Sequence, residues 1–163
     1  MARHFAQTGR PAQGSDSARA ARRRWCVALV VWLCVIWGHS LLAGPESSAE
    51  SGLVVGLLRP VFAAVGVTDP DLMSLAVRKT AHFTEYLVLG VIVANNCRVR
   101  QIRGWRACLL TAACVAVPLI DELGIQARVP GRSGNMTDVG IDSAGFTVGT
   151  LLAWPRIHRK SCN

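Results

Sequence analysis

Four apolar blocks, at 25–42, 79–97, 105–123 and 138–154, dominate this chain, each bordered by charged or turn-forming residues. Blocks of that length suit helices that cross a bilayer, which needs about 20 apolar residues. Composition points the same way: 51% of the residues are hydrophobic and 17% charged, below the roughly one quarter charged that is usual in a soluble domain. The expected fold is an all-α polytopic membrane bundle of four transmembrane helices. With 163 residues it forms one domain.

A fifth apolar stretch, 53–67, is shorter and holds Arg59 and Pro60 at its centre. A mid-bilayer charge costs about 3 kcal/mol on insertion scales, and proline interrupts a helix. A short interfacial or re-entrant helix is therefore expected there, after a turn-rich linker, AGPESSAES. Residues 1–24 read as a disordered basic cytoplasmic tail, 25–155 as the transmembrane domain and 156–163 as a short cytoplasmic tail. A basic stretch before an apolar one also fits a signal sequence, but the Trp-rich run at 25–42 is long and lacks a strong cleavage site. Pro118 is expected to bend the third helix.

The net charge of +8 does not imply a nucleic-acid partner, because no zinc-finger, helix-turn-helix or aromatic-basic pattern accompanies it. Its distribution reads instead as topology. Arg22, Arg23 and Arg24, then Arg98, Arg100, Arg103 and Arg106, then Arg156, Arg159 and Lys160 alternate with acid-rich segments. The positive-inside rule then puts both termini in the cytoplasm of a multi-pass protein of the cell membrane. The six cysteines include no CxxC pair and read as small buried hydrophobes.

On that topology the ionisable groups gather at one membrane face. Arg78, His82, Glu85 and Tyr86 share a helix face, with Lys79 beside them. Asp121, Glu122 and Gln126 close the third block, Asp138 and Asp142 open the fourth one turn apart, and Arg128 and Arg132 lie between. Asp138 alone is explained as a helix N-cap, whereas Asp142 is a turn too deep for that. Gly145 and Gly149 continue the stripe and would let a neighbouring helix come close. Groups so placed face one another or a cavity, because lipid contact is costly. His82, Glu85, Asp121 and Glu122 are the candidate catalytic groups, as acids or bases. Arg78, Lys79, Tyr86, Gln126, Arg132, Asp138 and Asp142 are the candidate binding groups. A lone His among carboxylates would suit a hard, oxygen-loving ion better than zinc. Without HExxH, a Cys-rich site, a P-loop or GxGxxG, neither a metal nor a cofactor is expected.

Three motifs in order, K-x-x-H-F-x-E-Y-x-x-L-G from Lys79, D-E-x-x-x-Q from Asp121 and V-P-G-R-x-G-x-x-x-D-x-x-x-D-x-x-G from Val129 to Gly145, resemble the VanZ-like family. In that family a histidine often precedes the glutamine; here the residue is Ile125. The resemblance implies a small integral protein of the bacterial membrane, in a family whose namesake is associated with low-level resistance to the glycopeptide teicoplanin. It leaves the reaction open.

The leading expectation is an outer-face polar site binding the headgroup of a membrane lipid or cell-envelope precursor, linked to glycopeptide resistance. The first alternative is a membrane-embedded enzyme acting on a phospholipid or polyprenyl headgroup by acid-base chemistry at His82 and Glu85. The second is a structural or partner protein without a ligand. A homo-oligomer stays open.

Overall fold

Asp69-Pro70-Asp71 starts the helix around which the rest is arranged. The Asp69 side chain accepts from the Asp71 backbone N–H at 2.9 Å, and Pro70 takes the first helical position, where its missing N–H costs nothing. Helix α3 (Pro70–Arg100) then runs for 31 residues and ends at Gln101, which adopts a left-handed conformation. In this computed structural model, residues 12–153 are described, apart from 43 and 133. The described chain is all-α: α1 (Ala12–Ser40), α2 (Gly44–Ala64), α3, α4 (Trp105–Leu119) and α5 (Met136–Ala153). Between α4 and α5 come a π-helical turn (Ile120–Ile125) and a single 3-10 turn (Gln126–Arg128).

Helix α3 buries one stripe along its length, His82, Tyr86, Leu89, Gly90, Val93 and Cys97. That is the spacing of one helix face. Ile36 of α1 and Phe146 of α5 complete the core around it. Helix α1 lies antiparallel to α3 and is tied to it by polar bonds. Asn96 donates to the Trp25 carbonyl, the Arg22 guanidinium to the Val99 carbonyl, and the Trp32 indole N–H to the Glu85 carbonyl. Helix α5 runs parallel to α3 at backbone contact distance. A Cβ on Gly145 would meet the Phe83 carbonyl, and one on Gly149 the Leu87 carbonyl. The close approach expected from that glycine pair is therefore present. Parallel packing places the start of α5 beside the middle of α3, and the site depends on that.

Several sequence expectations need correction here. Among the described residues, only Trp105–Arg128 is long and apolar enough to cross a membrane, which does not by itself define a membrane protein. The bundle of four transmembrane helices is overturned. The transmembrane and cell-membrane assignments, and the cytoplasmic placement of both termini, rested on those four spans and fall with them. The physical reason lies in what the helices contain besides their apolar blocks. Helix α1 runs through Arg22, Arg23 and Arg24, α3 carries Arg78, Lys79, His82 and Glu85 well inside it, and α5 holds Asp138 and Asp142 in its first two turns. His82, Asp138 and Asp142 are buried in the helix packing instead of lying along a membrane face, whereas Arg22, Arg23, Arg24 and Arg78 stay exposed.

Helix α2 also differs from expectation. It is continuous from Gly44, so the linker after residue 43 is largely helical and Pro60 sits inside the helix. The described part of the 1–24 segment, from Ala12, belongs to α1. Residues 1–11 and 154–163, and with them the C-terminal tail, lie outside the described residues.

Candidate functional site

The site begins with a change of helical pitch. Pro118 has no N–H to donate, and two residues later α4 widens into the π-helical turn. The Gln126 backbone N–H reaches back five residues to the Asp121 carbonyl. In a regular α-helix, neighbours such as Asp121 and Glu122 point about 100° apart. The widened turn buries both completely, together with Gln126. The Gln126 side-chain amide then donates to Glu122 Oε1 at 2.6 Å and to Asp121 Oδ2 at 3.1 Å. The other Glu122 oxygen accepts the Asn135 backbone N–H at 3.2 Å. Gly134 makes this contact possible, because a Cβ there would meet the Glu122 carbonyl.

Helices α5 and α3 supply the opposite walls. Asn135 caps α5, accepting the Thr137 backbone N–H at 3.0 Å, so the capping role considered for Asp138 falls to the residue three positions before it. Asp138 is instead paired with Lys79. One turn further on, fully buried Asp142 places Oδ1 3.5 Å from His82 Nδ1, and Glu122 Oε1 lies 3.9 Å from the same nitrogen. These are ion-pair separations without hydrogen-bond geometry. His82 Nδ1 and both Asp142 oxygens have no hydrogen-bond partner.

Burial alone would push the His82 pKa down; the Asp142 carboxylate directly beside it, then the charges of Glu122 and Glu85, reverse this and hold it above its ordinary value. Burial raises Asp142 above the usual carboxylate range despite the nearby imidazole. Tyr86 is raised by burial and then by the surrounding acids, so its phenol stays neutral.

A second histidine, His39, joins the site from the end of α1, although it is not among the candidate residues of the sequence analysis. Its Nδ1 lies 2.9 Å from Glu85 Oε1, both side chains half-buried. Arg132 fixes this corner by donating to the carbonyls of His39 and Ser40, at 3.2 and 3.0 Å. Such bonds satisfy the last carbonyls of a helix. Burial, then the charge of Arg78, lowers the Arg132 pKa. The one sequence signal for His39 was a polar His-Ser pair closing an apolar helix, and nothing local indicates that this end meets the Glu85 turn of α3.

His39, His82, Arg78 and Arg132 line a cavity of about 210 Å³ whose remaining wall includes Val54, Val77 and Ala81. Those three residues also line an apolar cleft of about 400 Å³ between α2 and α3. On the other side of Arg78 and His82, a polar hollow of about 150 Å³ includes Lys79, Asn135 and Asp138.

Of the residues singled out in the sequence, His82, Glu122, Asp142, Asp121 and Gln126 form one buried cluster, with Tyr86 in the core below. Arg78 and Arg132 border the neighbouring cavity, Glu85 is paired with His39 in its wall, and Lys79 and Asp138 line the polar hollow on the other side. Arg128 is exposed and turns back on the Gly124 carbonyl. The expectation of an outer-face headgroup-binding site, with its link to glycopeptide resistance, is overturned by this burial. The acids at its centre, Asp121, Glu122 and Asp142, are 0% exposed and face a histidine inside the helix packing.

Fold and site together define an all-helical protein with a buried histidine–carboxylate centre behind a small cationic cavity. The chain belongs to the VanZ/LLP1 family, whose pattern matches residues 25–158. No curated protein and no solved structure matches it.

Proposed function

We propose that this protein is an enzyme acting by acid-base chemistry on the phosphorylated headgroup of an amphiphilic substrate, a phospholipid or a polyprenyl phosphate. One observation carries the reading: the cavity lined by two histidines and two arginines shares Val54, Val77 and Ala81 with an apolar cleft. At about 210 Å³ it suits a small headgroup and is below the usual drug-sized range of about 300–1,000 Å³. Arg78 and Arg132 supply the planar donors that suit a phosphate. The cleft beside Val54, Val77 and Ala81 suits the first carbons of a chain.

The His39–Glu85 pair supplies the base. With the Glu85 carboxylate accepting, the proton of the neutral imidazole sits on Nδ1, and Nε2 is the basic nitrogen of that tautomer. In hydrolysis of a phosphate ester, the water oxygen bonds to phosphorus and gives its proton to His39. The P–O bond to the alcohol breaks, and the alkoxide oxygen takes that proton as it leaves. Positioned acid-base groups contribute about 10²–10⁴-fold.

Purified protein incubated with a phospholipid and a polyprenyl phosphate should yield a headgroup-altered product by mass spectrometry. Glu85→Gln should lower the rate by about 10²-fold or more, within the range for a positioned acid-base group. An unchanged lipid profile with both substrates would overturn the reading.

A further inference from the structure

We infer that His82 Nδ1, Glu122 Oε1 and Asp142 Oδ1 form a binding site for one divalent first-row metal ion. The inference concerns the wall behind the cavity and stands on its own geometry, so it holds or fails separately from turnover. Each residue offers one ligand atom, and the three atoms lie within 4.8 Å of one another. The two separations from His82 Nδ1, 3.5 and 3.9 Å, exceed the usual hydrogen-bond length of about 2.7–3.2 Å. Neighbouring ligands on an octahedral ion with bonds of about 2.2 Å sit roughly 3.1 Å apart, so side-chain movements of about 1–2 Å would close the set.

Unpartnered buried atoms provide the independent observation. His82 is 6% exposed and Asp142 0%, yet His82 Nδ1 and both Asp142 oxygens lack hydrogen-bond partners. Native interiors rarely leave such groups unmatched. A cation between them satisfies His82 Nδ1 and Asp142 Oδ1 at once. Charge supports the same conclusion: Asp142 and Glu122 are buried with Asp121 behind them, and a divalent ion offsets carboxylates that one imidazole offsets only in part.

Glu122 is already oriented as a ligand would be. Gln126 and the Asn135 backbone hold its two oxygens, the kind of outer support that fixes ligand geometry at metal centres. A donor set of one imidazole and two carboxylates suits an ion such as Mn²⁺. Ca²⁺ prefers six to eight oxygens.

Mn²⁺ titrated into the metal-stripped full chain, without substrate, tests this. Electron paramagnetic resonance should show one ion bound per chain, and pulsed measurements should show coupling to an imidazole nitrogen. Asp142→Asn and Glu122→Gln should weaken binding at least tenfold, while Asp71→Asn, at an exposed position near the start of α3, should leave it unchanged. If the acid variants fail to fold, the nitrogen coupling in the native chain still decides. Folded protein that binds no Mn²⁺, Mn²⁺ bound without nitrogen coupling, or binding equal in folded Asp142→Asn would each overturn the site. In the last case, a proton on His82 would be the counter-charge of the buried acids.

Discussion

Gln126 holds two buried carboxylates with one amide nitrogen, and so the acid pair depends on a neutral residue. Replacing it by Met keeps most of the volume and removes both donors. A buried acceptor that loses its partner costs about 1–3 kcal/mol. Gln126→Met should therefore lower the unfolding free energy by about that amount, read by chemical denaturation. Asn135→Ala should cost less, about 1 kcal/mol, because it removes one capping acceptor at the start of α5 and leaves the backbone N–H on Glu122 in place. A larger loss for Asn135→Ala than for Gln126→Met would contradict this assignment of roles. At this scale the sequence was informative. His82, Glu122, Gln126 and Asp142 were all legible as polar residues where an apolar helix should not carry them. His39 was not, because its partner Glu85 is 46 positions away and helix pairing leaves no local mark.

Helix pairing is also where the close glycine contacts act. Helix α5 lies on α3 with Gly145 and Gly149 against backbone carbonyls, and this contact sets the depth at which Asp142 meets His82. A methyl group at Gly149 has no flexible side chain to displace, since the atoms it would meet are the backbone of Leu87. Overpacking of this kind costs about 1–3 kcal/mol, and Gly149→Ala should lose about that much stability in denaturant melts. Gly140→Ala, where a Cβ meets nothing within 4 Å, should be neutral or stabilising, since alanine is the better helix former. Equal effects at the two positions would show that the α3–α5 contact is looser than described. The small-residue stripe was readable from its spacing, and so were the helical blocks. Their boundaries were not. The apolar pattern begins α3 near Lys79, but the cap at Asp69-Pro70 starts it nine residues earlier. That shift moves Arg78, His82 and Glu85 from the first turns of a helix to its interior. The mistaken picture of an exposed outer face followed from that boundary.

Across the whole molecule, α1, α3 and α5 enclose an apolar core continuous with the buried polar cluster, while large apolar side chains such as Leu53, Leu57, Leu109 and Leu151 remain on the outside. Counting apolar residues could not separate those that pack inward from those that face out, and the four-span reading followed from treating every block alike. The cysteines report which side is which. Cys34 on α1 and Cys108 on α4 are exposed, whereas Cys97 closes the buried stripe of α3, where burial pushes its thiol pKa up. Thiolate is the reactive form, so both access and ionisation slow Cys97. In a protein with Cys162 replaced by Ser, iodoacetamide at mildly alkaline pH should modify Cys34 and Cys108 well before Cys97, as followed by peptide mass spectrometry. Denaturant should remove the difference. Because α1 and α5 both seal the core that holds Cys97, early labelling there in native protein would mean that α1 does not cover α3 as described. The histidine–carboxylate centre would then be open to water from the α1 side.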